Sequence, residues 1–277
     1  CCGFIIATPL ALILVHQKQA SRRRASRFVI LAGNSPVNKT TLSRSTPAMR
    51  IPAALFLFLV LHGTVVNAED NQLTRSEKRA GWLLLFDGTT LDGWITSDQQ
   101  PSQRPVEQGS INPHKCGAYM MIHEKKWESF VLRLDFKISA GCNSGVFFRT
   151  FSLAPAEGRD VGFNGMEIAI DDTTTAGYHD TGAIYDLAKP SENAMKPVGE
   201  WNQLELRCRG NNIRVTINGK VVTEMDCGEF TKPALRPDGT SHKFPICYSD
   251  HPHPGYIGLQ DHGADCWFKN IRLKELR

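Results

Sequence analysis

Short runs of β-branched and aromatic residues, bounded by Gly, Asn and Asp, recur from about residue 81 to the C-terminus. Such spacing is typical of a β-sandwich or barrel. In the run from Phe130 to Ile138 apolar and polar residues alternate, which predicts a strand with one buried face. We therefore predict a single all-β domain. Its strands are predicted at residues 83–86, 130–138, 145–149, 166–170, 203–208, 213–217, 220–225, 256–259 and 266–273.

The dipeptide Asn218-Gly219 is the clearest local signal, because it separates two alternating runs. Asn-Gly supplies the positive φ values of a type I′ turn, so we predict a β-hairpin. With the strand before it, this hairpin forms a three-stranded meander. Cys208 and Cys227 then lie on strands that flank a common neighbour, roughly 9.5 Å apart, which is too far for a disulfide.

Charge is distributed unevenly along the chain. Residues 1–68 contain eight basic residues and no acidic one, so the rest carries 24 basic and 28 acidic residues. A basic surface for nucleic acid is therefore not expected in the folded part.

A targeting signal is predicted over residues 49–68. Met49 is followed by an apolar run of eleven residues and then by the small residues Val66 and Ala68, the pattern of a signal peptide. A membrane-spanning helix needs about 20 residues, so we expect no stable membrane anchor. The protein is expected to be exported, to the periplasm or the cell exterior.

The flanking segments have no pattern of a folded element. Residues 1–48 are interpreted as an untranslated or unstructured upstream extension, and residues 69–80 as a short linker to the domain at 81–277.

Six cysteines lie after residue 68, and in an exported protein they permit disulfides. None has the Cys-x-x-Cys spacing of a zinc site. His251 and His253 could form a metal pair, but no third ligand is evident nearby, which favours an exposed loop. The sequence therefore requires no cofactor, while a divalent metal remains an open alternative.

Eight short phrases recur in a recognisable order along the chain, at residues 85–94, 143–149, 167–171, 181–185, 199–202, 218–219, 258–263 and 268–272. Taken together, they resemble the 3-keto-disaccharide hydrolase domain family, and the match extends from about Gly81 to Leu276. The resemblance implies a concanavalin-A-like lectin/glucanase jelly roll, an antiparallel β-sandwich whose concave sheet carries a sugar-binding cleft.

Glu167 and Asp171 are the candidate carboxylates. They are four residues apart on a predicted strand, so they share a face at about 13 Å between Cα atoms. A retaining pair of glycosidase carboxylates needs about 5 to 5.5 Å and an inverting pair about 6.5 to 9.5 Å. The wider spacing of Glu167 and Asp171 disfavours an ordinary two-carboxylate mechanism. The position between them on the same face is Ala169, so there is no third acid in this row. Asp171 could alternatively cap the following loop.

Four other residues complete the predicted site. Arg149 ends a strand and offers a fork of donors for a keto or hydroxyl oxygen, or alternatively an ion pair with Glu167. Gln260 and His262 share a face if their strand continues; the amide suits a sugar hydroxyl, and the imidazole suits proton transfer near neutral pH. Tyr185 is the aromatic residue expected in the cleft. Trp94, Trp127 and Trp201 are expected in the core.

The resemblance implies cleavage of 3-keto glycosides. A ketone at C3 acidifies the C2 proton; its abstraction gives an enolate, the glycosidic oxygen leaves C1, and water adds later. We predict His262 or Glu167 as the base, Arg149 or a divalent metal as the enolate stabiliser, and Gln260, Asp171 and Tyr185 as sugar binders. The alternatives are a glycan-binding module without turnover and a hydrolase of unmodified glycans.

Overall fold

The structure is a computed structural model that describes residues 69–277. In these residues it has one short helix, α1 (Arg75–Arg79), three 3₁₀ turns and eleven strands. The strands are β1 (Leu83–Leu84), β2 (Trp94–Thr96), β3 (Met120–His123), β4 (Phe130–Ile138), β5 (Asn143–Thr150), β6 (Met166–Asp171), β7 (Asn202–Arg209), β8 (Asn212–Ile217), β9 (Lys220–Asp226), β10 (Tyr256–Gln260) and β11 (Cys266–Glu275).

The strands form two antiparallel sheets. One has six strands in the order β1-β11-β4-β7-β8-β9, and the other has five in the order β2-β3-β10-β5-β6. Sequence neighbours such as β3 and β4 lie in different sheets, so the chain crosses repeatedly between the two layers. The predicted antiparallel β-sandwich is confirmed.

One hydrophobic core lies between the sheets. Strand β4 shows how it forms: Leu132, Leu134 and Phe136 are buried, while Arg133 faces solvent. Phe136 pairs with Phe268 across β4 and β11, and both rings are fully buried. Truncating either ring to alanine would cost about 3 to 5 kcal/mol, because the dense core cannot close over the gap.

The β8–β9 hairpin is confirmed. Ile217 pairs with Lys220, and the two turn residues Asn218 and Gly219 have φ values of 50° and 81°. The Asn218 amide also donates to the carbonyl of Ala194 at 2.9 Å, so the turn anchors a neighbouring loop as well as reversing the chain.

The segment 69–80, predicted as a short linker, makes specific contacts with β11. Asp70 pairs with Lys269 at 2.5 Å, and Asn71 exchanges two hydrogen bonds with Asn270 on β11. Thr74 and Glu77 form a capping box that begins α1. The segment is therefore a strap held against the six-stranded sheet.

The six cysteines of the described region carry free thiols, and Cys208 and Cys227 are not bridged. Trp94 and Trp127 are buried as expected, whereas Trp201 is only half-buried on the surface. Within residues 69–277 no helix has the length and apolarity to cross a membrane. The predicted extension at 1–48 and signal peptide at 49–68 lie outside the described residues.

Candidate active site

The outer face of the five-stranded sheet carries the candidate site, and Glu167 lies at its centre. On β6 the residues Met166, Ile168 and Ile170 enter the core, so Glu167 projects outward, as alternation predicts. Gly145 on the adjacent β5 leaves room for it: a Cβ there would lie 2.6 Å from Glu167 Cγ. A glycine is needed at this position because the carboxylate occupies the space of any side chain.

Tyr119 and Gln260 form the polar wall beside Glu167. The amide of Gln260 donates to Tyr119 Oη at 2.8 Å, which leaves the tyrosine hydroxyl hydrogen free to donate elsewhere. Gln260 is buried, and its Oε1 has no hydrogen-bond partner among the described residues. A buried amide oxygen without a partner is costly, so this wall presents one acceptor and one donor to a bound polar molecule.

The electrostatics of this wall favour neutral forms. Burial raises the pKa of Glu167 to about 8, and the negative charge of Asp160 adds to the rise while Lys243 opposes it. Burial also raises the pKa of Tyr119 above its usual range, and the charges of Glu167 and Asp160 reinforce this shift. A carboxyl group with a pKa near neutrality can both accept and return a proton under physiological conditions.

Lys243 reaches the site from a long loop between β9 and β10. Its ammonium lies 4.2 Å from the ring centroid of Tyr185, and 5.3 and 5.4 Å from those of Phe163 and Phe244. The Lys243 side chain is exposed, and these cation–π contacts favour the position of its ammonium beside the rings. The Tyr185 backbone N–H donates to the Glu167 carbonyl at 2.8 Å, so the aromatic cage is fixed directly to β6.

A buried ion pair joins the loop that carries Tyr185 to the loop that carries Lys243. Arg236 donates to an Asp186 carboxylate oxygen at 2.6 Å, and the same guanidinium lies 3.8 Å from the ring centroid of Tyr178. The other oxygen of Asp186 accepts the Lys243 backbone N–H at 2.7 Å. His179 stacks on Tyr185 with ring centroids 4.5 Å apart. The 171–201 and 227–255 loops therefore meet at this ion pair.

Asp171, the last residue of β6, directs its carboxylate to the following loop rather than to this cluster. Its carboxylate accepts hydrogen bonds from the Thr181 backbone N–H and the Thr173 hydroxyl, both at 3.1 Å. Burial raises its pKa despite these bonds. This is the loop-capping arrangement considered as the alternative for Asp171.

Arg149 lies on the other side of the sheet, which corrects its predicted place beside Glu167. The register between β5 and β10 shifts by one residue near Phe148, and Arg149 has a φ of 53°; this β-bulge breaks the alternation. Its guanidinium is fully buried between the sheets, where it donates to the Gly210 carbonyl and lies 3.9 Å from Cys227 Sγ. The side chain makes no ion pair with a carboxylate of the described residues.

His262 is exposed in the loop after β10. Strand β10 ends at Gln260, so the strand alternation that would place Gln260 and His262 on one face does not reach His262. No hydrogen bond to the His262 ring occurs in residues 69–277. Its neighbour Asp261 instead accepts from the His114 ring at 3.1 Å and from the Lys115 backbone. The structure thus brings together Glu167, Gln260 and Tyr185 but not Arg149, Asp171 or His262.

Sequence reasoning missed Tyr119, Lys243 and Asp160. Tyr119 directly precedes a strand and could have been found from the apolar run that follows it. Lys243 and Asp160 are single charged residues in long irregular loops, and no local pattern distinguishes them. His251 was expected in an exposed loop, but it is buried, and burial lowers its pKa to about 4. The described residues contain no group of three or more His, Cys, Asp or Glu side chains placed to hold a metal.

The protein is thus an antiparallel β-sandwich with an acid of raised pKa, an amide and a tyrosine grouped near a lysine and its aromatic neighbours on one outer face. The profile of the 3-keto-alpha-glucoside-1,2-lyase-like domain matches residues 81–274. The chain therefore belongs to this family.

Individual relatives agree with this assignment. A 3-keto-disaccharide hydrolase of Bacteroides thetaiotaomicron is 26% identical over 241 residues, covering 76% of this chain and 83% of the relative. A crystal structure of a candidate glycosyl hydrolase from Parabacteroides distasonis is 30% identical with a TM-score of 0.57, covering 70% of this chain and 99% of the other. A second such structure from that organism is 23% identical with a TM-score of 0.63 and covers 76% and 100%, which supports the fold.

Proposed function

We propose that this protein cleaves the glycosidic bond of 3-keto glycosides by removing the C2 proton and eliminating the group at C1. The observation that carries the proposal is the carboxyl group of Glu167, which has a pKa of about 8 and lies near Tyr119 and Lys243. The names of the family and of the Bacteroides relative support the substrate class.

Glu167 is assigned as the base. The neutral form of its carboxyl group predominates at pH 7, and the ionised form has a basicity suited to a proton made acidic by a neighbouring ketone. Taking the C2 proton leaves the electron pair in an enolate between C2 and C3. The C1–O bond then breaks, and Glu167 can return its proton to the departing oxygen. Elimination therefore takes no proton from the solvent.

The enolate oxygen needs a positive partner, and Lys243 replaces Arg149 in this role. Its ammonium is the cation that acts on Glu167, and the aromatic cage positions it before substrate arrives. The free hydrogen of the Tyr119 hydroxyl is a second donor. Water then adds to C1 of the eliminated sugar to complete hydrolysis.

Sugar binding is assigned to Gln260 and Tyr185. The unpartnered Gln260 Oε1 accepts from a sugar hydroxyl. The half-buried Tyr185 offers its hydroxyl, because its ring is stacked on His179 and lies under the Lys243 ammonium. Asp171 supports the loop that carries Tyr185 rather than contacting sugar. Export remains part of the proposal, on the strength of the predicted signal at 49–68.

The test is incubation of the full chain with 3-keto-glucosides beside the corresponding ordinary glucosides. We expect product only from the keto series. Turnover of both series would identify a hydrolase of unmodified glycans. Binding without turnover would identify a glycan-binding module, which the amide and aromatic residues would serve equally well but which needs no acid of raised pKa.

A further inference from the structure

A pocket lies on the other sheet of the sandwich, which does not include β6 and its Glu167. It has a volume of about 460 Å³ and is formed on the outer face of the six-stranded sheet. We name it the tryptophan trough. Its lining residues are Glu107, Gln108, Ser110, Lys137, Trp201, Trp267 and Lys269.

Two indole rings form the walls of the trough. Trp267 on β11 pairs directly with Lys137 on β4, and Trp201 immediately precedes β7 on the other side of β4. The Cα atoms of the two tryptophans are thus about two strand spacings apart, roughly 9.5 Å. Because the two indoles extend from different strands, each can contact a separate ring of an oligosaccharide.

The lysines hold the indoles in position. The Lys137 ammonium lies 4.7 Å from the Trp267 ring centroid and 5.1 Å from that of Trp201, and Lys269 lies 4.4 Å from Trp201. These contacts order long side chains before any ligand binds, which lowers the entropic cost of binding. Both indoles remain only half-buried, so surface is left for a ligand.

Hydrogen-bonding groups line one side of the trough. Glu107 and Ser110 pair across a tight turn in which Gln108 and Gly109 have φ values of 48° and 72°. Trp267 Nε1 donates to the Glu107 carboxylate at 3.3 Å, so the hairpin is attached to the indole wall.

The charges around the trough favour a neutral ligand. Lys269 is paired with Asp70, and both oxygens of Glu107 accept from Arg104, at 2.7 and 2.9 Å. The remaining ammonium, that of Lys137, is engaged by two rings and offers no bidentate fork for an acid. Flat apolar rings edged by donors and acceptors match the C–H faces and hydroxyl rims of neutral pyranoses.

We propose that the tryptophan trough is an accessory binding site for a neutral oligosaccharide, separate from the site of chemistry. The inference does not depend on the proposed reaction, because it rests on residues of the other sheet. A protein with both sites would hold a glycan chain on one face while the opposite face acts on glycoside ends.

The test is titration of the full chain with the neutral hexasaccharides cellohexaose and maltohexaose, followed by the tryptophan indole N–H signals in NMR. We expect saturable shifts of the Trp201 and Trp267 signals with at least one of them. Trp201→Ala should weaken binding at least tenfold, and Trp82→Ala, which removes another half-buried tryptophan near the same sheet, should change it less than twofold.

Two further variants separate binding from folding. Trp267→Tyr keeps an aromatic face and should retain affinity within about threefold, whereas Trp267→Ala should not. Glu167→Gln should leave the trough titration unchanged. Absence of saturable binding by both hexasaccharides up to about 10 mM, tighter binding of an anionic oligogalacturonate, or equal affinity of Trp201→Ala and the unaltered chain would each overturn the proposal.

Discussion

The raised pKa of Glu167 has a consequence for stability that can be measured without a substrate. In the unfolded chain its carboxyl group has an ordinary pKa near 4.5, and in the folded protein the value is about 8. Between these values the folded state retains a proton that the unfolded state releases. The free energy of unfolding therefore falls as pH rises from about 4.5 to about 8, and this contribution is constant outside that window.

Glu167→Gln removes this dependence, because the amide has a similar shape and does not ionise. A difference of about 3.5 pKa units corresponds to about 4 to 5 kcal/mol as an upper limit. The side chain keeps partial contact with solvent, so we expect about 2 to 4 kcal/mol. The variant should match the unaltered protein at about pH 4 and be more stable by that amount at about pH 8.5.

Urea unfolding at a series of pH values measures this difference. Glu205→Gln is the matched control, since Glu205 also projects from a strand but is ion-paired with Arg133 at 2.7 Å near the surface. It should give a curve parallel to that of the unaltered protein. Parallel curves for Glu167→Gln as well would refute the inference that the Glu167 carboxyl is held neutral in the fold.

The same variant tests the chemistry. With a 3-keto glycoside that the unaltered protein cleaves, Glu167→Gln should lower kcat by about 100 to 10,000-fold and abolish the rise in rate toward pH 8. His262→Gln should stay within about threefold, because the exposed ring contacts none of the proposed machinery. The opposite pattern would return the role of base to His262.

Three further predictions concern the fold and processing. Arg149→Met should leave kcat within about threefold, because the guanidinium lies in the interior; a loss of 100-fold in a folded variant would restore its role as enolate donor. Replacing Asn218 and Gly219 with valines should lower stability by about 1 to 3 kcal/mol in thermal unfolding, and an unchanged melting temperature would contradict the strain expected at positive φ. N-terminal sequencing of exported protein should find Glu69 first, and a start more than a few residues away would contradict cleavage after Ala68.

Periodicity predicted the scaffold well because strand alternation and turn chemistry are local. The strand that carries Glu167 was predicted within one residue, and its outward orientation followed from the three apolar residues that alternate with it. The same rule failed at Arg149, because one extra residue in β5 reverses the side of the sheet. It failed again at His262, where the strand ends two residues earlier than the predicted alternation required.

The cage around Lys243 could not be predicted from local pattern. Tyr185 was selected from a family phrase, but its lysine partner lies 58 residues further on, in a loop whose composition only indicates irregular structure. Long-range juxtaposition of this kind depends on how loops pack on the sheet. The contacts of the strap at 69–80 could not be predicted for the same reason, because its hydrogen bonds are made with a residue about 200 positions away.

The ion pair between Asp186 and Arg236 limits how the two loops that it joins can be exchanged when the specificity of this protein is altered. Because each side chain is largely enclosed, exchanging one loop for that of a relative would leave a guanidinium or a carboxylate without its counter-charge, at a cost of about 3 to 5 kcal/mol. The two loops therefore have to be exchanged or varied together, because replacing either one alone would break the ion pair.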